Sequence, residues 1–212
     1  MGVVLLVRHG QASWGAADYD VLSSLGEEQA GLVGSALATA GITPNVVMHG
    51  AMVRQRRTAE LALAAAGWDC PVVTDGNWDE MDHLELLSLL PASEAVHDPD
   101  RRFTAAVERW VTGDHEGDYQ ESFAAFAARV ETALEAVADR VRDSGLAVVF
   151  TSGGPIAWSS SRLVEGGAAT YRQLARVVFN ASVTKVVASE RGTTLVSFND
   201  HSHLLGDRIT QR

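Results

Sequence analysis

The residues with the greatest chemical capacity stand where the first apolar run ends, because Arg8-His9-Gly10-Gln11 follows Val3 to Val7 directly. A continuous β-branched and leucine run closed by charged residues reads as a central strand covered on both faces. In open α/β sheets ligands bind beyond the carboxyl ends of strands, so an Arg-His pair there is placed to meet an anion. Arg8 offers a planar fork of donors that matches phosphate oxygens. His9, neutral near pH 7, can attack phosphorus through a ring nitrogen and become a phosphohistidine. Gly10 lets the backbone approach closely. For either residue alone the simpler reading is structural, with Arg8 in an ion pair and His9 a buried, hydrogen-bonded imidazole.

A site at that strand end needs a sheet and helices to hold it. LSSLGEEQAGLVGSALATAG reads as a helix with an apolar stripe (Gln29, Ala30, Leu32, Val33, Leu37) and a stop at Gly41. Val46 to Met48 gives a short strand, MVRQRRTAELALAAAG a second helix closed by Gly67, Pro71 to Thr74 a third strand and Ala147 to Thr151 a fourth. Between the last two, RRFTAAVERWVTG and ESFAAFAARVETALEAVADRVRDSG are helical, and GGP before IAWSSSRLV opens another helix. Strands alternating with helices predict an α/β domain, three layers deep, with a mostly parallel sheet. Val183 to Ala188 and Thr194 to Phe198, joined through Gly192, predict a hairpin and so at least one antiparallel strand. No repeat or linker divides the chain, and a single domain over 1–212 is expected. The stretch 81–117, rich in His, Asp and Pro, reads either as a small cap or lid over the site or, more simply, as an irregular surface excursion.

The balance of 27 acidic against 17 basic residues, a net charge of −10, opposes nucleic acid and anionic membranes as partners. A small phosphorylated substrate is still compatible, because salt screens charges beyond roughly 8 Å and a locally basic pocket prevails at short range. One cysteine, Cys70, permits no internal disulfide or cysteine-based metal cluster. The opening apolar run is too short to span a bilayer and lacks the flanks of a signal peptide. A cytoplasmic location, no metal and no cofactor are expected; oligomeric state is left open.

Four separated motifs, in order, resemble the histidine phosphatase (phosphoglycerate mutase-like) family. They are the strand-RHG opening, Leu22-Ser23, Gly26-Glu27-Glu28-Gln29-Ala30 and the helix Arg54-Gln55-Arg56-Arg57-Thr58-Ala59-Glu60; Asn199-Asp200 through His203-Leu204 fits the family's ending. Trp78-Asp79-Glu80 fits the family's acid-bearing segment and Val148 to Ile156 its last catalytic strand and turn. The opening RHGQASWGAADYDVLSSLG is closest to a bacterial RHGQAS branch. The resemblance implies that His9 is the nucleophile and that Arg8 and Arg54 clamp the phosphate, with Gln11, Ser152 and Gly153 beside them. It implies that Glu80 protonates the leaving group and later activates water, with Asp79 and Asp82 as substitutes if the register slips. Arg56 and Arg57 cannot point where Arg54 points on a helix turning 100° per residue, and are expected in solvent.

The main departure is Thr151-Ser152-Gly153-Gly154, where the family usually carries a second histidine at the position of Ser152. A hydroxyl donates one hydrogen bond but brings no positive charge. That loss is on the order of 1.5 to 3 kcal/mol of transition-state stabilisation, roughly ten- to a hundredfold in rate. Free N–H groups at the start of the following helix would offset part of it, with Gly153 and Gly154 holding phosphate. His203, or less simply His201, could swing in as the missing cation, although His203 is read first as structural. His49, at the end of the second strand, either faces the pocket or, more simply, is a satisfied buried residue. His83, His97 and His115 show no metal-ligand spacing. Trp14, Trp78 and Trp158 either wall a leaving-group pocket or belong to the core. Phosphomonoester hydrolysis through phospho-His9 is the leading expectation. The alternatives are phosphoglycerate mutase-type transfer, which the missing insertion before the acid and the missing histidine disfavour, and a catalytically weak module that binds a phosphorylated ligand.

Overall fold

The computed structural model describes residues 1–13, 20–91 and 98–211. Trp14 and His97 lie outside the described residues. Within them the elements run β1 (Gly2–Arg8), α1 (Ser24–Thr39), β2 (Val46–His49), α2 (Val53–Ala66), β3 (Val72–Thr74), α3 (His83–Ser88), α4 (Pro99–Thr112), α5 (Phe123–Val141), β4 (Leu146–Thr151), α6 (Gly153–Leu163), α7 (Ala168–Ala175), β5 (Val183–Ser189) and β6 (Gly192–Asp200).

The six strands form one sheet in the order β3-β2-β4-β1-β5-β6. β1 is parallel to β4, and β2 is parallel to both β3 and β4. β5 is antiparallel to β1, and β6 to β5, so the expected hairpin forms the antiparallel edge. Alternation along β1 shows why its run is apolar throughout. Val4 and Leu6 join the core cluster of α5, α6 and α7, whereas Leu5 and Val7 join the one that includes Val33 and Leu37 of α1 and Ala59 and Ala62 of α2. β4 repeats the pattern, Ala147 and Val149 on one side and Val148 and Phe150 on the other. Helices therefore cover both faces, and the three-layer α/β architecture follows.

Trp78 and Trp158 lie in the core and not on the wall of the cavity described below, with the Trp158 ring centroid 5.1 Å from that of Phe123. The helices begin where the sequence supplies caps. Ser23 accepts the N–H of Gly26 at 3.0 Å, Ser122 that of Ala125 at 3.1 Å, and Asp98 with Pro99 opens α4. α2 has no side-chain cap of its own from Met52; the Asp20 carboxylate accepts from Val53 N–H at 2.8 Å instead.

The loop after β1 is clamped against α1 by contact between backbones. A Cβ on Gly26 would sit 2.0 Å from the Gln11 carbonyl oxygen, and one on Gly10 would sit 2.2 Å from the Gly26 carbonyl oxygen. Gly10 therefore serves a close approach to helix α1. Gly26→Ala gains about 1 kcal/mol of helix propensity but forces a methyl into backbone atoms that cannot swing aside, an overpacking penalty of about 1 to 3 kcal/mol or more. The collision prevails, and a net loss of stability is expected in urea denaturation. Gly31→Ala, in the same helix with nothing within 4 Å of its Cβ, is expected to stabilise by a few tenths to about 1 kcal/mol. Equal responses of the two variants would remove this account of the loop.

Candidate active site

His9 is held by its backbone before its side chain acts. Its N–H donates to the Thr151 carbonyl at 2.8 Å, and its carbonyl accepts from Ala181 N–H at 3.2 Å and Asn180 Nδ2 at 3.3 Å. The next N–H, of Gly10, donates to Thr58 Oγ1 at 3.1 Å, and that hydroxyl donates to the Arg54 carbonyl one turn earlier on α2. Gln11 N–H donates to Gln29 Oε1 at 2.8 Å, while Gln29 Nε2 donates to the Arg208 carbonyl and Thr210 Oγ1. The Gln of the first helical motif and the Thr of the second thus build the loop that carries the imidazole.

His9 is 3% exposed, with Nδ1 2.7 Å from the Gly10 carbonyl oxygen. A carbonyl oxygen only accepts, so Nδ1 carries the proton. Nε2 then presents its lone pair, towards which Arg54 Nε donates at 3.2 Å. Burial, reinforced by the Arg54 and Arg8 guanidinium groups, holds the His9 pKa well below the usual histidine value, against the opposing bond to Gly10. The imidazole is neutral, and its unprotonated Nε2 is held as an acceptor by Arg54.

Arg54 is 4% exposed and its Nη1 donates to Asp20 Oδ1 at 2.7 Å. Asp20 thus fixes the start of α2 and the Arg54 head together. Arg8 donates through Nη1 to the Val178 carbonyl. Arg57 is exposed and pairs with Glu27 at 2.8 Å, and Arg56 is exposed, as expected from the helical turn.

The segment bearing Glu80 is tied down at three successive carbonyls. Arg129 of α5 donates to Asn77 O at 3.0 Å and Asp79 O at 2.7 Å, while its own guanidinium is forked on Glu121. Trp78 O accepts from Gln55 Nε2 at 3.1 Å and Thr151 Oγ1 at 2.5 Å. The Glu80 carboxylate accepts from Met81 N–H at 3.2 Å and, through Oε2, from Gly154 N–H at 2.9 Å. The N-terminus of α6, expected to offer both glycine N–H groups to phosphate, spends that of Gly154 on Glu80. Asp79 instead accepts from Ala51 N–H at 2.6 Å and Asp82 caps α3, so neither is on the cavity wall.

A cavity of about 360 Å³ brings Arg8, His9, Arg54, Glu80 and Gly153 together, with His83 beside them. Met81, Phe103, Val107 and Val178 supply apolar wall, and Glu108 and Arg172, which pair with each other, supply charge. Helix α4 of the 81–117 stretch thus forms part of the wall. Gln11, Ser152 and His203 are not on it. Ser152 is fully buried and its Oγ accepts from Gln55 Nε2 at 2.8 Å, an acceptor role where a donor to phosphate was expected. Gln11 Oε1 accepts from Ser23 Oγ at 2.8 Å. His203 is hydrogen-bonded to the Ala181 backbone, and burial lowers its pKa. His201 has its Nδ1 2.8 Å from the Asn199 carbonyl oxygen and its ring against Phe179. His49 is buried with Nδ1 2.7 Å from the Gly50 carbonyl oxygen and is not on the cavity wall. Among the described residues no group of three or more His, Cys, Asp or Glu side chains is arranged to hold a metal ion, and no helix is long and apolar enough to cross a membrane.

Sequence reasoning missed Asp20, Gln55, His83 and Arg129. Gln55 and Arg129 carry no motif signal of their own beyond lying on apolar-striped helices. Asp20 stands 33 residues before the helix it caps, and α1, which follows it directly, has its own cap in Ser23, so its spacing in the chain gives no sign of that role.

Gly154 has to lack a side chain for Glu80 to reach it, since a Cβ there would lie 2.0 Å from Glu80 Oε1. Gly154→Ala is expected to push the carboxylate away and lower kcat roughly ten- to a hundredfold with an unfolding midpoint no lower than that of the parent. At Gly153 the nearest atom to a Cβ is Arg8 Nε at an ordinary 3.6 Å, and Gly153→Ala is expected to stay within about threefold. Equal steady-state losses in both variants would refute the distinction.

The model of the histidine phosphatase superfamily (branch 1) matches residues 4–201. A 2,3-bisphosphoglycerate-dependent phosphoglycerate mutase of Thermobifida fusca is 43% identical over 74 residues, which is 32% of this chain and 30% of that protein. The chain spans less than half the length of the curated mutases it matches. Among solved structures, a phosphoserine phosphatase of Entamoeba histolytica in complex with phosphoserine superposes with a TM-score of 0.71 at 20% identity, covering 97% of this chain and 100% of that one. A phosphoglycerate mutase of Bacillus anthracis gives 0.69 at 19% identity, covering 95% and 94%. At those identities the likeness establishes the fold.

Proposed function

The chain belongs to the histidine phosphatase superfamily, branch 1, and we propose that it is a metal-independent phosphomonoester hydrolase working through a phosphohistidine at His9. One observation carries the reading: a buried, neutral imidazole whose Nδ1–H is committed to Gly10 and whose unprotonated Nε2 accepts from Arg54 Nε, on the wall of the cavity that Arg8, Arg54 and Glu80 also line. In the first half-reaction the Nε2–P bond forms as the P–O bond to the leaving group breaks, and Glu80 gives its proton to the departing oxygen. In the second, water attacks phosphorus, Glu80 takes its proton, and the N–P bond breaks to release phosphate and neutral His9. Arg8 and Arg54 stabilise the equatorial oxygens in both, the electrostatic work that dominates phosphoryl transfer. Ser152 supports the reading as the buried anchor of Gln55, and Gln11 as the partner of Ser23; both act behind the phosphate site. The apolar wall suits a small substrate whose leaving group has an apolar part.

A panel of natural phosphomonoesters assayed in EDTA, with a base quench that preserves phosphohistidine, tests this. Phosphate release together with a phosphorylated peptide containing His9 supports the hydrolase; release with no such peptide rejects the covalent route. The mutase relatives keep a second reading in view, phosphoryl transfer to a hydroxyl acceptor through the same intermediate. Conversion of 3- to 2-phosphoglycerate with little free phosphate would select it.

A further inference from the structure

We propose that His83 is a second phosphate-binding imidazole of this site, donating to an oxygen of the bound phosphoryl group. The inference rests on reading the cavity as a phosphoryl-transfer site. His83 is the first residue of α3, and it lines the same cavity as Arg8, His9, Arg54 and Glu80. Its backbone is fixed independently of its ring. Asp82 caps the helix by accepting from Leu84 N–H at 2.9 Å and Glu85 N–H at 3.1 Å, Leu86 is buried in the core, and the Glu85 carboxylate accepts from Gln120 N–H at 2.9 Å. By contrast Ser152 has its hydroxyl bonded to Gln55 away from the cavity wall, and Gly154 N–H is held by Glu80. The protonatable donor that those two positions do not bring to a phosphate is present in His83.

The charges around the ring support a role that depends on ligand. Burial and the Arg54 guanidinium lower the His83 pKa below the usual 6.5, while Asp82 and Glu80 pull it back. Elsewhere on the wall stand Asp100 and Glu108 of α4 and, from α7 and the residue after it, Arg172 and Arg176. A phosphate dianion bound against Arg54 offsets the guanidinium and favours the imidazolium, so the ring gains its proton when phosphate arrives and presents a charge-assisted donor.

Calorimetric titration with inorganic phosphate of the full-length wild type, His83→Ala and His83→Gln, from pH 6 to 8, tests this without requiring turnover. His83→Ala is expected to weaken binding roughly ten- to a hundredfold. His83→Gln, which keeps a neutral donor, should fall between, and the wild-type advantage over it should grow as pH falls, a ratio from which phosphate's own ionisation cancels. A merely structural role would lower the unfolding temperature without giving that pH-dependent ratio. Affinities within twofold of wild type in folded variants, a ratio flat with pH, or no phosphate binding by the wild type would each overturn the proposal. If His83→Ala does not fold, the His83→Gln ratio decides. Phosphate binding that depends on His83 in a protein that hydrolyses no ester would remove the hydrolase reading and leave this one standing.

Discussion

Replacing His9 by alanine is expected to lower phosphate release by at least about 10³-fold and to abolish the base-stable phosphopeptide. The size follows from the absence of a second nucleophile of the right kind on the cavity wall among the described residues: His83 is proposed to act as a donor, and Glu80 is bonded to the start of α6. The phosphate clamp of Arg8 and Arg54 survives the substitution, so phosphate affinity should fall far less than turnover. A variant that retains more than a tenth of the parent's kcat would sink the role given to His9.

The same substitution has a stability signature whose sign can be worked out. The folded-state pKa of His9 lies well below 6.5, its unfolded value. Above about pH 6.5 both states leave the ring neutral and nothing is lost. As pH falls below that, the unfolded chain takes up a proton that the folded one refuses, and stability declines until the folded pKa is passed. His83 and His203 have pKa values lowered in the same sense and share the decline. His9→Ala should therefore unfold with a shallower loss of stability between pH 6.5 and 5 than the parent, even where it is no more stable at pH 8. The neutrality that makes the ring nucleophilic is thus opposed to folding in acid.

How far the sequence carries differs between the fold and the site. Runs and stripes such as Val3 to Val7 or Gln29 to Leu37 are local, and both marked their elements. Helix α7, eight residues long, carries too few turns for a period to show. The loop that carries His9 was visible because its residues are consecutive. Its supports were not, because they converge from distant segments: Arg8 reaches Val178, Gln29 reaches Arg208 and Thr210, and Gln55 reaches Ser152. The partners that Ser152 and Gly154 have in the structure were out of reach for the same reason. A hydroxyl and a helix N-terminus are generic partners, and only the placement of Gln55 and Glu80 decides what each receives. Chemistry-bearing residue types were legible; their allocation depended on tertiary structure.

Glu80→Gln separates proton transfer from position, and its expected effect is a kcat lower by about 10²- to 10⁴-fold on alkyl phosphates. The glutamine carbonyl oxygen can still accept from Gly154 N–H, which leaves the segment fixed by Arg129, Gln55 and Thr151 as in the parent. What is lost is the proton for the leaving oxygen and, after it, the base for water. The two losses fall on different substrates. An alkoxide leaves poorly without a proton, so alkyl esters should stall at the first step. p-Nitrophenolate leaves without help, so the nitrophenyl ester should still phosphorylate His9 and then stall at hydrolysis, giving a burst of nitrophenol close to one equivalent followed by slow release. Gly154→Ala, in which the carboxylate is present but displaced, should lower both steps modestly and show no such division. Rapid-quench measurement of the burst decides the matter: a proportional slowing of both esters with no burst would show that Glu80 serves the site through its charge or its packing, and general acid-base catalysis would have to be assigned elsewhere.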